Sequence, residues 1–133
     1  MSSELARLAA ARYVLLTTFR RHGQPVATPV WIVRYGDGLG VWTERDAGKV
    51  KRVRNSDRVE LTTCDVRGRQ TDGRTTAGRA RVLDGSGTRQ VREALARKYG
   101  LLGRTAMLFS RLRGGTERTI GLAITVDEPS ESA

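Results

Sequence analysis

Val41-Trp42-Thr43-Glu44-Arg45-Asp46-Ala47-Gly48-Lys49-Val50-Lys51-Arg52-Val53-Arg54-Asn55 holds the change of period that decides how this chain folds. Up to Thr43 the residues suit an extended strand. From Asp46 onward Val50 and Val53 recur at helical spacing, with Lys49, Lys51, Arg52 and Arg54 on the remaining surface. Asp46 is the expected cap, and Asn55-Ser56-Asp57 the expected stop. The charges across this junction are oddly placed. A helix start carries partial positive charge, so a cation at Lys49 is worse placed there than at the far end by about 0.3–1 kcal/mol. Glycine inside a helix costs about 0.5–1 kcal/mol relative to alanine, so Gly48 also needs a reason. A phosphate accounts for both, with the Thr43 hydroxyl and the amides around Ala47, Gly48 and Lys49 completing an anion cradle. The plainer alternative is a solvated basic helix with an ordinary glycine.

On the N-terminal side, Tyr13 to Phe19 is rich in β-branched and aromatic residues, and Arg21-His22-Gly23-Gln24-Pro25 supplies a turn into a second strand from Val26 to Tyr35. Gly36-Asp37-Gly38 then leads into a third strand, Leu39 to Thr43. Thr28-Pro29-Val30-Trp31 puts proline inside the second strand, which requires a sheet edge, a bulge or an interrupted ladder. A planar heterocycle suits such a place, with Thr28 at its polar edge and Val30 or Trp42 against an apolar face. Read structurally, Trp31 and Trp42 are core or interface anchors.

On the C-terminal side, Arg58 to Val66 and Thr75 to Leu83 are strand-like, Thr88 to Tyr99 and Arg104 to Leu112 are helical, and Glu117 to Val126 alternates Ile120, Leu122 and Ile124. A short helix capped by Ser2 or Ser3 opens the chain. The pattern predicts a mainly β fold with some helix, a six-stranded antiparallel barrel with peripheral helices, forming one domain over residues 1–126 with a loose tail over 127–133. A parallel nucleotide-binding sheet is disfavoured, because no G-x-G-x-x-G lies between a strand and a helix.

The 133 residues carry 24 Lys+Arg against 14 Asp+Glu, a formal +10, with 38% hydrophobic residues, enough for one core. One cysteine, Cys64, and one histidine, His22, are too few for a disulfide or a zinc site. No G-x-S-x-G elbow is present, so nucleophilic catalysis has little support. His22 reads as a solvated turn residue and Cys64 as an inert strand residue. The +10 charge suggests nucleic acid as a rival partner, but 5% aromatic residues give no stacking platform, so that reading ranks low. No signal or membrane span is evident, and the expected location is the cytoplasm.

Gly23-Gln24-Pro25-Val26-Ala27-Thr28-Pro29-Val30-Trp31, then Val41-Trp42-Thr43, then Gly48-Lys49-Val50-Lys51-Arg52-Val53-Arg54-Asn55 with Arg58-Val59, resembles the pyridoxamine-phosphate-oxidase-like split β-barrel proteins. Within them it looks most like the actinobacterial deazaflavin (coenzyme F420)-dependent reductases. The resemblance implies a split barrel of the FMN-binding type and a homodimer with two cofactor sites at the interface. It also implies hydride transfer to an electron-poor small-molecule substrate. By carry-over, Thr43, Ala47, Gly48 and Lys49 match the cofactor-phosphate positions and Thr28, Pro29 and Val30 the strand beside the ring, with Trp42, Val50 and Arg54 as further cofactor-binding candidates. The flavin-mononucleotide oxidases of the superfamily carry an arginine and a lysine in strand two and Ser-Arg-Lys at the helix start. This chain has Ala27-Thr28-Pro29 and Ala47-Gly48-Lys49, which favours F420 over FMN as the cofactor. The resemblance assigns no catalytic side chain and no metal, and the substrate is not named by it.

Overall fold

The computed structural model describes residues 3–114 and 118–127. Ser2, Glu117 and the tail from 128 onward, on which parts of the sequence reading fall, lie outside them. Helix α1 (Ser3–Ala10) precedes a hairpin of β1 (Tyr13–Phe19) and β2 (Pro25–Val30). The hairpin turn takes its positive φ at Gly23, whose amide donates to the Arg20 carbonyl at 2.8 Å. β3 (Val33–Tyr35) and β4 (Gly38–Glu44) form a second hairpin, followed by α2 (Gly48–Asn55), β5 (Arg58–Cys64), β6 (Gln70–Val82), α3 (Gly85–Gly114) and β7 (Thr119–Val126).

All pairings are antiparallel, and the strands lie in the order β2-β1-β5-β6-β7-β4-β3. The two edge strands, β2 and β3, are neighbours in sequence with only Trp31 and Ile32 between them. The sheet therefore curls until its edges meet across two residues, a barrel split along one seam. Six strands were expected and seven are found. The run from Val26 to Tyr35, expected as one strand, is two: it leaves the ladder of β1 after Val30 and joins that of β4 at Val33, with Trp31 and Ile32 in neither. Composition fixes extension and says nothing of the partner. Pro29 sits on the edge strand, where its missing N–H costs no ladder bond on the open side.

Alternation divides the strands into two faces. Val14, Leu16, Leu39, Val41, Val59, Leu61, Leu122 and Ile124 are buried inside the barrel, with Leu5 and Leu8 of α1 and Val53 of α2 joining that core. On the outside, α3 lies across β3, β4 and β7, and Val91 and Leu95 pack with Val33, Leu83, Ala123 and Trp42. The close approach depends on absent side chains. A Cβ on Gly40 would stand 2.9 Å from the Val91 methyl, and one on Gly121 3.2 Å from the Thr88 Cα. The two helices expected after β6 are found as the two arms of α3, which starts at Gly85 and is interrupted at Gly100, whose φ of 60° and ψ of −133° no helix permits.

Candidate functional site

The β4–α2 junction is displaced by one residue from its expected form. Ala47, not Asp46, occupies the cap position with extended backbone, and no side chain caps the helix. The Ala47 amide is already used by the Glu44 carbonyl at 3.1 Å, and this turn delays the helix start to Gly48. Ala47 is thereby removed from the expected set of free amides. The amides of Gly48 and Lys49 have no acceptor among the described residues.

Alternation along β4 turns Thr43 to the side of Val41, toward the barrel mouth near α2. There the Lys49 ammonium donates to the Thr43 hydroxyl at 3.3 Å. Lys49 is half-buried, and desolvation, followed by the nearby Arg52 cation, holds its pKa below the ordinary lysine range, while Glu44 acts weakly the other way. One donor of the ammonium is thus engaged by a neutral hydroxyl, and two remain for a ligand.

Arg52, which the sequence reading left among surplus surface cations, belongs to this mouth. Its Nε donates to the buried Thr18 hydroxyl at 2.6 Å, and desolvation together with Arg20 pulls its pKa down. Its guanidinium also lies over Gly48, where a Cβ would come 2.8 Å from Nη1. The glycine thus has an internal partner as well. The i, i+4 spacing of Gly48 and Arg52 was the available signal.

The remaining candidates disperse. Val50 is fully buried with its amide bonded to Ala47, so its side chain serves the core and faces no ligand. Arg54 is exposed in the last turn of α2, about 9 Å along the axis from Gly48 at the helical rise. Trp42 points away from Thr43, out of the barrel and under α3, where its indole N–H is buried with no hydrogen-bond partner among the described residues. Thr28 and Val30 are half-buried and Pro29 exposed on β2, at the opposite edge of the hydrogen-bonded sheet from β3 and its neighbour β4. Within one chain, then, Thr43 and Lys49 come together at the start of α2 with Gly48, Trp42 faces away from them, and Thr28–Val30 lie on the other edge strand.

A second polar cluster, absent from the sequence reading, closes the seam. Lys98 donates to the carbonyls of Ala9 at 2.8 Å and of Ala11 and Ile32 at 2.6 Å. Tyr99 donates to the Arg12 carbonyl at 2.6 Å, accepts the Ile32 amide at 3.1 Å and stacks on Trp31 with centroids 4.4 Å apart. Desolvation lowers the Lys98 pKa to about 8 and raises that of Tyr99, and the carbonyls around Lys98 oppose its shift by favouring the ammonium. These side chains satisfy backbone groups that the broken ladder leaves over. His22 lies exposed in the hairpin turn, 3.3 Å from the Gln24 amide oxygen, and burial followed by Asp65 raises the Cys64 thiol's pKa.

The family model for pyridoxamine 5'-phosphate oxidase matches residues 3–117. The chain belongs to that family. No curated protein matches the sequence. Among solved structures, an F420 reductase superposes with a TM-score of 0.61 at 16% identity, covering 96% of this chain and 97% of the other. A FAD-binding protein from Mesorhizobium loti gives 0.62 at 16% identity over 96% and 91%. The heme storage protein HutZ from Vibrio cholerae gives 0.65 at 13% identity over 95% and 89%. At such identities these likenesses establish the fold, and their differing ligands leave the cofactor to the site itself. Among the described residues no helix is long and apolar enough to cross a membrane.

Proposed function

We propose that this pyridoxamine 5'-phosphate oxidase family member is a coenzyme F420-dependent reductase, acting in the cytoplasm as a homodimer on an electron-poor small-molecule substrate. The observation that carries the reading is the Lys49 ammonium, half-buried beside Thr43 and the open Gly48 and Lys49 amides, with no carboxylate bonded to it among the described residues. That arrangement suits a phosphate oxygen, since each donor points to one place and desolvation strengthens every charge-assisted bond. Arg52 adds positive potential at the same mouth. Two cations of the flavin-mononucleotide oxidases are missing from β2 and the helix start, so a cofactor with a longer anionic tail is favoured, with FMN as the alternative.

When bound, the deazaflavin supplies the hydride. The chain's own part is to fix the phosphate at Thr43, Gly48 and Lys49 and to offer the Thr28–Val30 strand to the ring. The family resemblance puts the complete site at the interface with a second copy. The outer face of β2, β1, β5 and β6 suits that contact. Pro29, Leu15, Thr62 and Thr75 form one row across it, and Ala27, Thr17, Glu60 and Ala77 the next, with Glu60 the one carboxylate in either row.

Titration of the full chain with F420 and with FMN, followed by cofactor fluorescence, tests the proposal. Saturation at one F420 per subunit with weaker FMN binding is expected, and Lys49→Ala should weaken F420 at least about tenfold by removing a charge-assisted bond. Equal affinity of Lys49→Ala and wild type would reject the cradle. Saturation by FMN alone would move the assignment to the alternative.

A further inference from the structure

Arg45 lies between Thr43 and Lys49 in sequence, yet it lines a different cavity. A cleft of about 350 Å³ opens where the end of β4 meets the first turns of α3 and the start of β7. Arg45, Arg89 and Arg92 line it, and among the described residues Asp84 is the one carboxylate in the lining. Asp84 is occupied, since its Oδ1 accepts the Gly87 amide at 2.8 Å and closes the start of α3. Arg89 and Arg92 have no carboxylate partner among the described residues, and the first turn of α3 carries no acidic residue. Leu83 and Ile120 add apolar wall. Arg89 and Arg92 stand in the first turns of α3, on the lining of this cleft.

We infer that this cleft is a second anion subsite, distinct from the Lys49 cradle, that receives a carboxylate or phosphoryl group through forked contacts from Arg89 and Arg92, with Arg45 facing them from β4. The volume suits a small oxyanion or one end of a longer ligand. The chemistry is the same whether that group is the acidic tail of a cofactor held at Lys49 or belongs to a separate molecule. The inference rests on the cleft's own residues and not on which cofactor binds.

The test uses the full chain and inorganic pyrophosphate as probe, followed by calorimetry at low salt. Saturable binding is expected in the wild type and in Lys49→Ala. The double variant Arg89→Gln/Arg92→Gln, whose thermal midpoint should match the wild type, is expected to bind at least about tenfold more weakly. No saturable heat in the wild type, undiminished affinity in the double variant, or a loss confined to Lys49→Ala would each overturn the subsite. F420 preparations with one and with several tail glutamates then separate the sources. If the longer tail gains affinity in the wild type and not in the double variant, the cleft holds the tail; if the gain persists there while pyrophosphate binding is lost, it holds a separate anion. Absence of any cofactor binding would defeat the reductase reading and leave the pyrophosphate result standing.

Discussion

The sheet has two outer faces built on one core, and they are finished differently. Over β3, β4 and β7 the residues are small or aromatic, with Gly40, Gly121 and Ala123 beside Trp42, and α3 lies down on them with Val91 and Leu95. Over β2, β1, β5 and β6 the outward rows are Pro29, Leu15, Thr62, Thr75 and Ala27, Thr17, Glu60, Ala77, and none of the described helices packs there as α3 does on the other side. The first face is sealed from within the chain. The second has those two rows with Glu60 as their one charge, bounded on one side by the exposed Arg58 and Arg79 of the next row and touched on the other by the β5–β6 turn at Gly68 near Leu15 and Pro29. The proposed homodimer would use these eight positions, which hold one charged residue in a +10 chain.

Substitution separates the faces most sharply at Leu95. Leu95→Ala removes a fully packed side chain under α3 and should cost about 3 kcal/mol in urea unfolding, whereas Leu15→Ala on the other face should cost less than about 1 kcal/mol in the isolated subunit. Comparable losses would mean that the second face is also closed internally. Next, Leu15→Arg should leave the circular dichroism spectrum unchanged and weaken self-association by about a hundredfold in sedimentation. A wild type that sediments as a monomer at every concentration would remove the proposed role of this face.

Smaller effects are expected at the seam that joins the faces. Tyr99→Phe keeps the stack on Trp31 and deletes the bonds to Arg12 and Ile32, for a loss of about 1–2 kcal/mol in the same unfolding assay. The smallest concerns Glu4, on the α1 plug. Arg7 and Thr76 bond its carboxylate and, with Arg74 close by, hold its pKa down to about 2. Because the folded value is depressed, the stabilisation is full above the unfolded value near 4.5 and is lost as pH falls toward 2. Glu4→Gln should therefore destabilise by about 1 kcal/mol at pH 7, allowing for solvent screening, with the difference gone at pH 2. A difference that persists at pH 2 would assign the effect to packing.

Much of the barrel was legible because each strand carries its own period. Tyr13–Phe19 was read to the residue, and Leu122 and Ile124 of the alternating apolar set in β7 lie in the barrel core. The strand-to-helix junction at β4 and α2 was legible in outline, since the period changes there and Gly48 and Lys49 break local rules that a helix start otherwise follows. Its finer form was not, because a backbone bond from Ala47 to Glu44 moved the start of α2 past Asp46. Lys98 and Tyr99 gave no signal at all. Their acceptors, Ala9, Ala11, Arg12 and Ile32, lie more than sixty positions away, and nothing in the period of α3 marks a side chain as bonding remote carbonyls.

The sequence by itself determined most of the extended and helical segments, that Pro29 needs an edge, a bulge or an interrupted ladder, and that a cation stands at the start of α2. These are short-range properties, set by side-chain alternation, glycine and proline sterics, and the field of the first helical turn. The tertiary structure alone decided that one extended run serves two ladders, that Trp42 and Thr43 face opposite sides, and that Arg45, Arg89 and Arg92 share a cleft. Those depend on which strands pair and on how far the sheet curls, and pairing energy is summed over residues far apart in the chain, where local preference has no reach.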